Sequence, residues 1–126
     1  MLLGQEVVTC EIVLDTLTNE TVYKNPEKLP EPKKGKNSWM KELAKQIKVE
    51  TTVDIGGYPH EKLIVGFIVC ADGQVVGERV LMDSPLKDLE KQILSVIKNT
   101  KWTSGFCNTQ AVNVLMEYPI LIRIAE

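Results

Sequence analysis

The sequence predicts a small α+β domain. Three observations carry that prediction. Two apolar runs flank Asp72-Gly73, a dipeptide that supplies the positive φ a tight hairpin turn needs. Leu86, Leu89, Ile93, Val96 and Ile97 then recur at helical spacing. The chain closes on Val112, Val114, Met116, Tyr118, Ile120, Ile122 and Ile124, an unbroken period-two face.

Taken in order, Glu6 to Leu14 alternates, with Val8, Cys10, Ile12 and Leu14 on one face and Val7, Thr9, Glu11 and Val13 on the other, which predicts a strand. Thr18-Asn19-Glu20 supplies turn chemistry, and Thr21-Val22-Tyr23 returns as a short second strand. Asn25 to Lys36 holds three of the six prolines. Proline denies both helix interior and central strand, so this stretch is expected to be a linker. The expected division is therefore 1–24, an N-terminal strand or hairpin extension; 25–36, a Pro/Lys-rich linker; and 37–126, the main domain.

Asn37 or Ser38 can cap a helix from Trp39 to about Lys48. Trp39, Met40, Leu43 and Ile47 form its apolar stripe, which is read as core. Gly56-Gly57-Tyr58-Pro59 marks a turn or loop. Leu63, Val65, Phe67 and Val69 point to one side of the next strand and Ile64, Ile68 and Cys70 to the other. That pattern predicts a central strand covered on both faces. Val75 to Met82 returns from the Asp-Gly turn. Ser84 caps the second helix, Pro85 opens it, and Asp88 and Glu90 suit the positive end of its dipole. It should stop near Asn99. Trp102 follows, and Ser104-Gly105 breaks the chain before the last strand. Pro119, in the middle of that strand, has no N–H to give a ladder, so an edge position or a bulge is expected there.

Composition excludes several kinds of chemistry. The net charge of −2, with Lys and Glu interleaved, argues against a nucleic-acid surface, which needs clustered positive charge. Three separated cysteines and one histidine, His60, make no zinc pattern, and no cofactor motif is present: Gly56-Gly57 lacks the Lys and Ser or Thr of a phosphate loop. An odd cysteine count allows one disulfide with one free thiol, or three buried thiols. The apolar surroundings of Cys70 and Cys107 favour buried thiols. A cysteine enzyme would need Cys107 paired with His60, and no feature of the sequence activates that thiol. No catalytic residue is therefore assigned. No stretch approaches the ~20 apolar residues needed to span a bilayer, so no membrane insertion by this chain is expected. Met1 to Gln5 is too short for an export signal.

The order strand, Asp-Gly hairpin, strand, helix, tryptophan, glycine, long strand resembles the C-terminal domain of TonB. The segments that carry the resemblance are LIVGFIVCADGQVVGERVL, DLEKQILSVIKNT, the KW and SG steps, and VNVLMEYPILIRI. Tyr118-Pro119-Ile120 is similar to the Pro-hydrophobic step of that family's final strand. Upstream, PEKLPEPKKGKNSWMKELAKQIKV is similar to the segment preceding the domain in TonB-like proteins of Bacteroidetes. Together these cover Pro26 to Ile124.

The resemblance implies a small three-stranded antiparallel sheet in ββαβ order, plus a preceding helix, with helices packed on one face. It implies the periplasm or cell envelope as location. It also implies a protein partner, such as an outer-membrane receptor, whose short extended segment pairs with the free edge of the last strand. An energy transducer needs an anchor and a long linker. The Pro/Lys-rich stretch here, at ~3.1 Å per residue when extended, reaches only a few nanometres. The expectation is thus an interaction module binding by strand addition, with candidate contacts at Asn113, Leu115, Glu117, Pro119, Leu121 and Arg123. A competing expectation pairs the N-terminal strand with the last one. The module would then be auto-inhibited, a strand-swapped homodimer, or purely structural.

Overall fold

The computed structural model describes residues 10–46, 60–82 and 87–123. Two ten-residue strands form its spine: β4 (His60–Val69) and β9 (Val114–Arg123). They run antiparallel in unbroken register from His60↔Arg123 to Val69↔Val114. β5 (Val75–Met82) pairs antiparallel with the other edge of β4. The turn between them follows from its residues. Gly73 takes φ +87°, its N–H donates to the Cys70 carbonyl at 2.8 Å, and the Gln74 N–H donates to the Asp72 carboxylate at 3.0 Å.

At the other end of the chain, β1 (Ile12–Asp15) and β2 (Glu20–Tyr23) make an antiparallel hairpin. β2 joins β9 in parallel through the one pair Tyr23↔Val114. The strand order is β1-β2-β9-β4-β5. Two short sheets complete the strands: β3 (Glu31–Pro32) with β6 (Trp102–Thr103), and β7 (Gly105–Cys107) with β8 (Gln110–Val112). Among the described residues the helices are α1 (Lys36–Gln46) and α2 (Lys87–Asn99).

This overturns the expected three-stranded antiparallel sheet with helices on one face. The fold is mostly sheet: five mixed strands and two accessory pairs. The three-stranded sheet is what the resemblance implies; here the N-terminal hairpin that the sequence also predicts adds β1 and β2 to it. β3, β6, β7 and β8 have two or three residues each and contain Pro32, Gly105 and other residues poor in strand propensity. Their pairing is held by tertiary context. The Pro/Lys-rich stretch is part of that context: Lys28 and Phe106 exchange backbone hydrogen bonds at 3.2 and 3.0 Å, and Pro30 and Pro32 are buried. Gly105 permits this approach, because a Cβ there would lie 2.9 Å from the Lys28 carbonyl oxygen.

The main core joins Leu63, Val65, Phe67 and Val69 of β4, Val114 and Met116 of β9, Trp39 and Leu43 of α1, and Leu89, Ile93 and Ile97 of α2. Burying each large side chain contributes roughly 1.5–3 kcal/mol. An aromatic cluster locks α1 onto β9. Trp39 meets Trp102 edge-on at 5.3 Å and Tyr118 at 5.5 Å, and Phe67 lies 5.1 Å from Trp102. Such pairs add about 0.5–1.5 kcal/mol each beyond their area. α1 begins at Lys36, ahead of Asn37 and Ser38, with the Trp39 N–H already bonded to the Gly35 carbonyl at 3.0 Å. Met40, expected in the core stripe, is exposed. The second-helix start at Ser84-Pro85 and Leu86, the loop at 56–59 and the side chain of Ile120 lie outside the described residues.

β1 does not carry Ile12 and Leu14 inward. Ile12 and Leu14 are 54% and 61% exposed, whereas Asp15 is buried. The cause lies across the molecule. Arg79 of β5 grips Asp15 bidentately, at 2.6 and 2.8 Å, and the Thr18 N–H and hydroxyl donate to the same carboxylate. β1 and β5 stand at opposite ends of the strand order, so this clasp curls the sheet. The hairpin turn then sits by the face opposite the main core: a Cβ on Gly77 would meet Thr18 Cγ2 at 2.8 Å and Ile68 Cδ1 at 3.5 Å. Ile68 and Val22 are both fully buried, yet stand outside the main cluster.

The cysteines differ from the expected three buried thiols. Cys10 and Cys107 form a disulfide with Cα atoms 6.4 Å apart, and Cys70 is free and half-buried. The partners are 97 residues apart, so no local pattern announces the pairing.

Candidate functional site

The site is built on the backbone of β9. In an extended strand the N–H and C=O of one residue point the same way, and successive residues alternate. The Asn113 carbonyl accepts from the Tyr23 N–H at 2.9 Å, so it faces β2. The alternation therefore turns the backbone of Leu115, Glu117, Pro119, Leu121 and Arg123 to that same side, away from β4. The unbroken β4–β9 register keeps this phase to Arg123. Pro119 fits it: its nitrogen faces away from β4, so the ladder to Ile64 loses no donor.

β2 does not follow this edge. Its pairing with β9 is confined to Tyr23, and Lys24 continues the hairpin, its N–H donating to the Glu11 carbonyl at 3.0 Å. Past Leu115, β9 has no second strand neighbour among the described residues. The competing expectation pairs the N-terminal strand itself with the last one; its described part, β1, pairs with β2 alone, and β2 touches β9 at one pair.

A groove of about 900 Å³ lies along this open edge. Leu115 to Pro119 form its floor. Glu11, Lys24 and Asn25 form one wall, fastened by Asn25 Nδ2 donating to Glu11 Oε2 at 3.3 Å. Leu29, Pro30 and Glu31 with Lys36 and Met40 form the other. The disulfide at Cys10 fixes the backbone next to Glu11, and the Lys28–Phe106 bonds fix the backbone next to Leu29. Both walls are thus anchored to β7. Leu29 and Met40 leave substantial apolar surface in the groove. Charges of both signs line it, so no long-range field selects the partner.

Tyr118 closes the floor. Burial, and then the charge of Glu31, push its phenol above the ordinary value, so the ring stays neutral at physiological pH. Lys36 Nζ sits 5.9 Å from its ring centroid, a cation–π distance.

Of the expected contacts, Asn113 is drawn into the fold: its side-chain oxygen accepts from the Ala71 N–H at 2.9 Å and its backbone carbonyl serves β2. Leu115 is half-buried, and Glu117 and Pro119 are exposed in the groove. Leu121 and Arg123 bring backbone to the edge; their side chains lie outside the described residues. Sequence reasoning missed Leu29, Met40, Lys24 and Lys36. Met40 had a readable signal, since it shares the α1 stripe with Trp39 but stands one residue off the Trp39–Leu43 line. Cys107 is bonded to Cys10 and offers no thiolate in this state. Among the described residues no group of three His, Cys, Asp or Glu could hold a metal ion, and no helix is long and apolar enough to cross a membrane.

Comparison with protein-family models finds no match. Comparison with curated proteins finds none either. What this edge can do therefore rests on its geometry.

Proposed function

We propose that this chain is a protein-interaction module that captures an extended segment of a partner protein by adding it as a strand beside β9, in the manner of a TonB C-terminal domain. The edge from Leu115 to Arg123, open among the described residues and bordered at Leu115–Pro119 by a groove that exposes Leu29 and Met40, is the observation that carries the reading. The disulfide supports an oxidising compartment such as the periplasm, where an outer-membrane receptor is the partner class that the resemblance implies. The reading includes no catalytic step and no cofactor.

The energetics favour a reversible contact. The carbonyls of Leu115, Glu117 and Pro119 and the N–H groups of Glu117 and Leu121 offer about five ladder bonds, each contributing roughly 0.5–1.5 kcal/mol net. Association costs about 4–15 kcal/mol in lost freedom. The ladder alone is marginal, and covering Leu29 and Met40 must supply the surplus. Partners should therefore place apolar side chains toward α1.

The test is selection of linear peptides from a random library on the whole protein, followed by amide hydrogen exchange on the complex. Protection gained at Glu117 and Leu121, and lost binding in Met40→Lys, supports the reading. Peptides that instead protect the free edge of β5, or bind Met40→Lys equally well, overturn it.

A further inference from the structure

We infer a second binding site, for a small monocarboxylate with a compact apolar body, in the cavity between α1, α2 and the β3–β6 pair. The cavity encloses about 500 Å³, within the roughly 300–1,000 Å³ of typical ligand pockets. Its inner wall is Pro32, Trp39 and Val96. That wall is fixed before any ligand arrives. The Trp39 indole N–H donates to Thr100 Oγ1 at 3.0 Å, the Thr100 hydroxyl donates to the Val96 carbonyl at 2.6 Å, and Trp102 braces the indole edge-on. A preformed apolar wall spares the ligand the ordering cost that weakens binding to mobile surfaces.

The rim is basic. Lys33, Lys34 and Lys101 line it against a single carboxylate, Glu42, which lies 3.5 Å from Lys34. The whole chain carries −2, so this local excess is not a by-product of a basic protein. Among the described residues no acidic group pairs with Lys33 or Lys101. The two sit side by side, because the Lys33 N–H donates to the Lys101 carbonyl at 3.0 Å. Both also line the adjoining cavity of about 460 Å³ beyond Lys98, so they stand on the ridge between the two. An acid group resting on that ridge meets two ammonium groups while its body lies over Val96, the half-buried apolar residue of the wall. The competing cause for the lysines is the negative end of the α2 dipole. Lys98, in the last turn of α2, already supplies that charge. Lys33 comes from a different part of the chain.

The test is a ¹H–¹⁵N NMR titration of the full chain with 4-phenylbutyrate, reading the Trp39 indole N–H, with 4-phenylbutanol as the uncharged control. The expected result is a saturable Trp39 shift with the acid, about tenfold weaker binding of the alcohol, and about tenfold weaker binding of the acid by Lys33→Gln/Lys101→Gln, as loss of a charge-assisted contact predicts. Asn99→Trp, at an exposed position on the cavity mouth, should block the acid while leaving thermal unfolding unchanged. A Trp39 shift that does not saturate in the millimolar range overturns the site. Equal binding of acid and alcohol, or unaltered binding in the double lysine variant, overturns its charge selectivity and with it the proposal.

Discussion

The Asp15–Arg79 clasp sets the curl of the sheet, and Arg79→Ala tests it. The Asp15 and Arg79 side chains are 6% and 20% exposed, so the carboxylate is desolvated and depends on its partner. Removing one partner of a buried pair costs about 3–5 kcal/mol, against 0–1 kcal/mol for a surface pair. Asp15 keeps its two bonds from Thr18 in the variant, which favours the lower end, about 3 kcal/mol. For a chain of this length that is a fall in Tm of about 10 °C. The pH dependence sharpens the test. Hydrogen bonding from Arg79, outweighing burial and helped by Thr18, holds the Asp15 carboxyl well below its ordinary value. A group depressed on folding contributes stability above its unfolded value and loses it as pH falls through the folded one. The wild type should therefore weaken steadily below about pH 4. In Arg79→Ala the lone buried carboxylate is relieved by protonation, so the difference between the two proteins should shrink with acid. Urea unfolding at pH 7 and pH 3 measures both numbers. A loss under 1 kcal/mol, or a gap that stays constant with pH, would falsify the clasp.

Reducing the disulfide, or making Cys10→Ser, should lower stability by about 3–5 kcal/mol, because the bond closes a loop of 97 residues in the unfolded chain; calorimetry with and without a dithiol reductant reads it, and no change in Tm would remove the bond from the account. Native hydrogen exchange should alternate along β9. The amides of Met116 and Tyr118, turned to β4, should be protected, and those of Glu117 and Leu121 should exchange quickly; uniform protection would mean the edge is already filled. Gly73→Ala should cost at least about 2 kcal/mol, since φ is +87° and the new Cβ would collide with the Trp102 carbonyl oxygen; chemical denaturation checks this, and a loss of only a few tenths would contradict the turn geometry.

The parts of the fold that follow from contiguous residues were legible. The Asp72-Gly73 turn, the Leu89–Ile93–Ile97 face of α2 and the two-sided burial of β4 all depend on neighbours within a few positions. What failed depends on distant ones. Alternation alone puts Ile12 and Leu14 on the same footing as Val114 and Met116, and only Arg79, far along the chain, makes Asp15 the inward residue. The disulfide has the same character. β8 and β9 look continuous in sequence, yet the chain changes sheets at Asn113 because that residue is bonded to Ala71 and Tyr23 at once. The candidate edge residues stand out in the sequence for side chains opposite the core face, and matter in the fold for their backbone. The same odd-numbered positions carry the open backbone, because both properties share a period of two. The groove wall at Leu29 and Met40 had no such luck: it comes from a proline-rich stretch whose path is set by Phe106 and Trp102.

Pro119 bears most directly on whether the β9 edge is a docking site or only an exposed strand. An unguarded edge pairs with any extended chain, and proline is one of the residues that prevent this. Here the proline removes the central donor of the open side, between Glu117 and Leu121. An incoming strand of arbitrary sequence would leave one carbonyl unpaired there, a cost of about 1–3 kcal/mol if that carbonyl is buried and less if it stays wet. That penalty is comparable to the whole margin of a five-bond ladder, so indiscriminate pairing is suppressed. A segment with its own compensation survives the penalty: apolar side chains that fill the groove at Leu29 and Met40. The edge is thus too poor in backbone bonds to bind every strand and well enough walled to bind some. That combination is what selectivity requires of a surface that recognises backbone.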